Sequence, residues 1–158
     1  INLLQVRDGI LITVGIKKMK IKSIKHYART DRVYDIETPT HDYILSNGII
    51  SHNTMEMFSK QVLSGGCLER GTNIIMHDNT LKQIQDIKEG DFVKSNDGKS
   101  RVTHTWDPDT LEESNPECYE IEFEDGTKVV CSEAHRFMID NNWVELKNIN
   151  IGDKVSVV

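Results

Sequence analysis

The clearest pattern along the chain is an alternation. Tyr119, Ile121 and Phe123 are separated by Glu120, Glu122 and Glu124, which predicts a strand with one buried and one solvated face. Asp125-Gly126 turns it back into Val129-Val130, and Asp97-Gly98 marks another hairpin. Asn47-Gly48, between Leu45 and Ile49-Ile50, is the strongest hairpin signal of all. Residues 32–37 are strand-like in their β-branched and aromatic content, and Pro39 ends them. Tyr43-Ile44-Leu45 comes next as a second strand, so Ile49-Ile50 runs as a strand end into His52-Asn53. Residues 72–76 predict a short strand closed by a turn at Asp78-Asn79. Residues 1–14 are apolar, with one turn signal at Arg7-Asp8-Gly9. In residues 17–25, Met19, Ile21 and Ile24 interleave with lysines, as in a strand with one solvated face. Residues 54–66 differ from all this. Met55, Met57 and Phe58 make a weak helical stripe, and Ser64-Gly65-Gly66 reads as a flexible linker outside the core.

The pattern also repeats. Residues 81–93 and 144–155 align on a shared Gly-Asp, at Gly90-Asp91 and Gly152-Asp153. Ile84 then falls on Leu146, Ile87 on Ile149 and Val93 on Val155. Each unit predicts a short helical turn, a Gly-Asp corner and a strand. Two units are too few for a solenoid. The expectation is one all-β domain with a pseudo-twofold and short helical turns.

Composition narrows the function classes. A chain of 158 residues supports one domain with a real core. Its formal charge of -6 argues against a nucleic-acid binder, which would show a basic face. No apolar run is long enough to span a membrane as a helix, and no secretory signal is read at the start. Three cysteines, an odd number, argue against a disulfide framework and for a reducing, cytoplasmic setting. Cys67, Cys118 and Cys131 lack the paired short spacings of a zinc site.

Candidate chemistry sits at Ser51-His52-Asn53-Thr54 and at Cys67. The Asn53 side-chain amide can attack its own carbonyl carbon, closing a succinimide and releasing the chain from Thr54 onward. His52 beside it can protonate the leaving amine or polarise the carbonyl. Thr54 offers a hydroxyl nucleophile and Cys67 a thiol. Taken alone, His-Asn-Thr is a common turn composition and a lone Cys is usually a small buried hydrophobe. The flanks shift the balance.

Residues 67–74, Cys-Leu-Glu-Arg-Gly-Thr-Asn-Ile, resemble the N-terminal motif of inteins, the self-splicing domains of the Hedgehog/intein (Hint) family. Residues 131–137, Cys-Ser-Glu-Ala-His-Arg-Phe, resemble the second motif, a hydroxyl residue three before a His. Residues 32–53 resemble the two C-terminal motifs run together, and Thr54 matches the first residue after an intein. The order is exchanged. Residues 1–53 correspond to the C-terminal part, 54–66 to an extein-like linker and 67–158 to the N-terminal part, the two parts forming one Hint domain. Ser132 stands where Thr is common, and Thr40 precedes His41 where some members carry an acid.

The resemblance implies a horseshoe-like Hint fold and autocatalytic splicing. Cys67 would attack the Gly66 carbonyl to form a thioester, assisted by His135 with Ser132 holding the backbone. Thr54 would take the acyl group, with His41 as base or polarising group. Asn53 would then cyclise with help from His52, and an oxygen-to-nitrogen shift would restore a peptide bond. In this order the product would be a ring of residues 54–66. The implied partners are the chain's own flanking segments and complementary intein halves. No cofactor, metal, nucleic acid or membrane is implied. Two alternatives stay open: a domain that only cleaves, and an inactive scaffold in which lysine-rich residues 17–25 face acidic residues 120–125. His26, His77 and His104 are assigned no role. Cys118 and Cys131 are expected in the core, and Trp106 and Trp143 as packing anchors.

Overall fold

The computed structural model describes residues 2–7, 10–15, 17–27, 33–52, 66–106 and 117–158. Asn53, Thr54 and the helical stripe expected after them lie outside the described residues. The fold is all-β, as the alternation predicts. Its strands, in chain order, are β1 (Asn2–Arg7), β2 (Ile10–Gly15), β3 (Lys17–Tyr27), β4 (Val33–Glu37), β5 (Asp42–Ile44) and β6 (Ile50–His52). After the 54–66 segment come β7 (Leu68–Glu69), β8 (Asn73–Ile75), β9 (Leu81–Gln83), β10 (Phe92–Ser95), β11 (Gly98–Arg101) and β12 (His104–Trp106). The last five are β13 (Cys118–Phe123), β14 (Lys128–Ser132), β15 (Arg136–Ile139), β16 (Asn142–Glu145) and β17 (Lys154–Val157).

A seven-stranded sheet has the order β12-β4-β7-β14-β13-β3-β17, and a four-stranded sheet the order β16-β15-β6-β5. Three two-stranded hairpins complete the described fold. Every pairing is antiparallel. Strands from 1–53 are inserted among strands from 67–158: β4 lies between β12 and β7, β3 between β13 and β17, and the β5–β6 pair joins β15 through β6. Unpaired strand edges leave backbone polar groups unsatisfied. Each part therefore fills the other's edges.

The repeat has a physical basis. In both units a single 3₁₀ turn, Ile84–Asp86 and Leu146–Asn148, precedes the corner. Gly90 and Gly152 have φ of +92° and +97°, the left-handed region that glycine enters without steric cost. The aspartate after each glycine accepts the backbone N–H three residues back. Asp91 takes that of Lys88 at 3.0 Å and Asp153 that of Asn150 at 2.8 Å. The aligned pairs Ile84 and Leu146, Ile87 and Ile149, and Val93 and Val155 are all buried. They join Ile21, Tyr43, Leu68, Ile121, Phe123 and Phe137 in one core cluster. Each fully buried large apolar side chain stabilises by about 1.5–3 kcal/mol.

Strand β3 lies directly against β13, with Lys25 opposite Glu120 and an ion pair from Lys22 to Glu122 at 3.7 Å. Such exposed pairs contribute roughly 0–1 kcal/mol each. Val157 pairs with Lys17, and Asn2 pairs with Gly15 two residues earlier. Two cross-strand steps and two peptide steps bound the separation of Val157 and Asn2 at roughly 20 Å. Among the described residues no helix is long and apolar enough to cross a membrane.

Candidate functional site

Strand pairing brings Cys67 to Ser132 and His135, the residues expected to assist it. Cys67 precedes β7, which pairs with β14 through Leu68 and Cys131. One step further, the Ser132 backbone N–H donates to the Cys67 carbonyl at 3.0 Å. The Cys67 N–H donates in return to the Ser132 hydroxyl oxygen at 2.9 Å. A hydroxyl at position 132 thus holds the nitrogen of the Gly66–Cys67 peptide bond. His135 comes next in a tight turn, its N–H donating to the Ser132 carbonyl at 3.1 Å. Its side chain is fully buried and packs edge-on to Phe137, with ring centroids 5.0 Å apart.

Gly66 fills the remaining space against this histidine. A Cβ on Gly66 would overlap the His135 backbone and come within 2.7 Å of Nδ1. Glycine at that position is therefore a packing requirement. His135 Nε2 lies 2.6 Å from the Ser51 hydroxyl oxygen. Burial pulls the His135 pKa down to about 3; the Gly66 backbone raises it and His52 lowers it. The ring is neutral at physiological pH. The Cys67 thiol is pushed well up, first by burial, then by the Asp35 carboxylate and Cys118. Left to itself it stays protonated.

The other end of the site is built differently. His52 ends β6, buried, opposite Asp42 in register. Its ring stands edge-on to Trp143 at 4.7 Å between centroids. His41 lies nearly parallel to His52, 6.1 Å away between centroids, and is exposed. His41 has φ +62°, uncommon for a residue with a Cβ, imposed by the turn in which its N–H donates to the Thr38 carbonyl at 3.0 Å. Thr40 donates its hydroxyl to Ser100 Oγ at 2.9 Å. Asp42 accepts the Asn96 N–H at 2.7 Å through one oxygen, and its other oxygen has no hydrogen-bond partner among the described residues.

The structure thus gathers Cys67, Ser132 and His135 at one point, and His41 and His52 at another. Asn53 and Thr54 come after His52, outside the described residues. Sequence reasoning missed four contributors: Gly66 as a fitted residue, and Asp35, Tyr43 and Ser51 behind His135. Tyr43 Oη donates to Asp35 Oδ1 at 3.2 Å, and Asp35 Oδ1 also accepts the Ile36 N–H at 2.9 Å. Tyr43 and Ser51 are set opposite one another by the observed register of the hairpin at Asn47-Gly48. His26 and His77 are exposed; His104 pairs with Glu89 at 3.2 Å on the surface. Cys118 and Cys131 are buried. Among the described residues no group of three or more His, Cys, Asp or Glu side chains is placed to hold a metal ion. No protein-family model matches the chain, and comparison with curated proteins returns no match.

Proposed function

We propose that the chain is a self-splicing domain of the intein type with its two parts in exchanged order. The observation that carries this reading is the convergence of Cys67, Ser132 and His135 on the Gly66–Cys67 peptide bond. That bond has its nitrogen held by a hydroxyl and a histidine packed against its acyl side. This is what a thiol-to-carbonyl attack needs, because the leaving nitrogen must be protonated as the C–N bond breaks. The acyl group of Gly66 then passes from the Cys67 sulfur to the Thr54 oxygen. Asn53 cyclises beside His52, and the ester rearranges to a peptide bond joining Gly66 to Thr54. Orientation of groups held this way can contribute on the order of 7–11 kcal/mol. The interleaving of strands from 1–53 and 67–158 supports association of the two parts as one reactive unit.

A second reading, an inactive scaffold or a domain that only cleaves, is favoured by one observation: the Cys67 thiol is buried and held protonated. Dithiothreitol separates a chemically active domain, splicing or only cleaving, from an inactive scaffold. Splicing chemistry requires thiol-induced cleavage between Gly66 and Cys67, detected by mass, and loss of that cleavage in Cys67→Ala. A chain inert to thiol would support the scaffold.

A further inference from the structure

One buried carboxyl has no part in the splicing steps. Asp42 of β5 lies opposite His52 of β6, and the two are 4% and 6% exposed. Residues opposite one another across two strands share a face, with Cβ atoms roughly 4.5–5.5 Å apart. Asp42 Oδ2 accepts the Asn96 N–H at 2.7 Å, in the turn between β10 and β11. Asp42 Oδ1 is enclosed and has no hydrogen-bond partner among the described residues. Burying a carboxyl oxygen unsatisfied is costly. Asparagine would accept the same bond from Asn96 without the cost of a buried carboxyl. The turn alone therefore does not account for an acid at this position.

The histidine opposite is clamped and has charged neighbours. Trp143 stands edge-on to it at 4.7 Å and His41 lies parallel at 6.1 Å, and together they fix the plane of the ring. β15 pairs with β6 through Phe137 and Ser51, so one step along, Arg136 flanks His52 on the side away from Asp42. Arg136 lies opposite Glu145 of β16, its ion-pair partner at 3.5 Å. Glu145, Arg136, His52 and Asp42 thus form one row across the four-stranded sheet. Among the described residues His41 and His135, whose pKa His52 lowers, are its other titratable neighbours. Burial and a flanking arginine both disfavour an imidazolium at position 52. A carboxyl on the other side of the ring opposes both.

We propose that Asp42 is a positioning residue for His52: its unbonded oxygen takes the ring N–H and keeps a proton on the Asp42–His52 pair for the Asn53 step. The chemical use of that proton rests on the splicing reading. Whichever partner carries it, the pair binds the proton more tightly than a buried imidazole alone. Asn53 needs it at one moment. As the Asn53 side-chain nitrogen bonds to its own carbonyl carbon, the bond from that carbon to the Thr54 nitrogen breaks, and the leaving nitrogen takes a proton from His52. The side-chain nitrogen sheds one proton on closing the ring, which restores the pair. The net change is one proton from the Asn53 side-chain nitrogen to the Thr54 nitrogen, with one C–N bond formed and one broken.

The test is an NMR titration of the His52 ring in the full chain carrying Cys67→Ala and Asn53→Ala, which blocks both reactions. Adding Asp42→Asn should lower the midpoint of ring protonation by ~1 pH unit or more. The Asn96 amide should keep its chemical shift, since the asparagine oxygen accepts the same bond. With Cys67→Ala alone, Asp42→Asn should slow release at Thr54 near pH 7 by ~10-fold or more, and the deficit should shrink as the pH falls. With Asn53→Ala alone, Asp42→Asn should leave thiol cleavage at Cys67 within about threefold of the parent. An unchanged midpoint in folded Asp42→Asn overturns the proposal. So does a deficit equal at every pH, or an equal loss of thiol cleavage, since either marks a purely structural role. If the parent releases nothing at Thr54 but shows the midpoint shift, the splicing reading fails and the Asp42–His52 pair stands.

Discussion

The two ends of the site lie on opposite faces of one strand. In β6, Ser51 and His52 are neighbours, so their side chains point to opposite sides of the sheet. Ser51 faces inward to His135, where every polar atom is enclosed and the histidine is neutral. His52 faces the other way, to Trp143 and an exposed His41. The enclosed end holds a peptide bond in a dry, tightly packed cradle. The other end is open on one side. A single three-residue strand thus joins the two ends of the proposed site, and its backbone is the shortest route by which they can be kept in register.

The sharpest way to break the comparison is to remove a group from one face and ask whether the other notices. Cys67→Ala should eliminate thiol cleavage at Gly66–Cys67, while Cys118→Ala, a core substitution, should retain it in the folded fraction. Gly66→Ala should lower the same cleavage by ~10² or more, since its Cβ would overlap His135 and displace the reacting carbonyl. On the opposite face, His52→Ala should slow release at Thr54 by ~10²–10⁴, and Asn53→Ala should abolish it. Both should leave thiol cleavage at Cys67 largely intact. Equal loss at both ends would show that the faces are not independent. Fragment masses over time, with and without thiol, measure all five.

A smaller effect concerns stability. The His135 pKa in the fold lies near 3, below the ordinary value near 6.5. The unfolded chain therefore binds a proton in this window that the folded chain refuses. Stability should be complete above about pH 6.5 and fall with pH through the window, by on the order of 1.4 kcal/mol per pH unit. Urea melts of the Cys67→Ala, Asn53→Ala chain between pH 6.5 and 4.5 should show this slope. His135→Gln should flatten it.

Much of the fold was legible because its signals are local. The Gly-Asp corners need only a glycine for a left-handed turn and an aspartate to cap it, and both appear in the chain at matching offsets. The alternation from Tyr119 to Phe123 needs only a sheet with one buried face. Cys67, Ser132 and His135 were legible as motif positions, and they lie together in the fold. The wall behind them was not, and the reason is register. Read as a two-residue turn, Asn47-Gly48 would set Tyr43 opposite His52. The loop instead spans Ser46, Asn47 and Gly48, closed by Leu45 N–H donating to the Ile49 carbonyl at 3.0 Å, with Gly48 at φ +87°. That added residue sets Tyr43 opposite Ser51. The placement of Asp35 near Cys67 depends on β4 pairing with β7, a contact between distant segments. Nor does sequence alone reveal that Gly66 is a glycine for want of space.

The central claim is that Gly66 is passed to Thr54 within one chain. The most direct measurement is the mass of the small product formed when the purified chain is incubated under reducing conditions. The expected product is residues 54–66 closed head to tail, one water lighter than the linear peptide and resistant to aminopeptidase. Residues 1–53 should end in a succinimide or its hydrolysis product and remain associated with 67–158 without a covalent link. A small product of linear mass only would mean that the two ends cleave without coupling, and the splicing claim would be wrong.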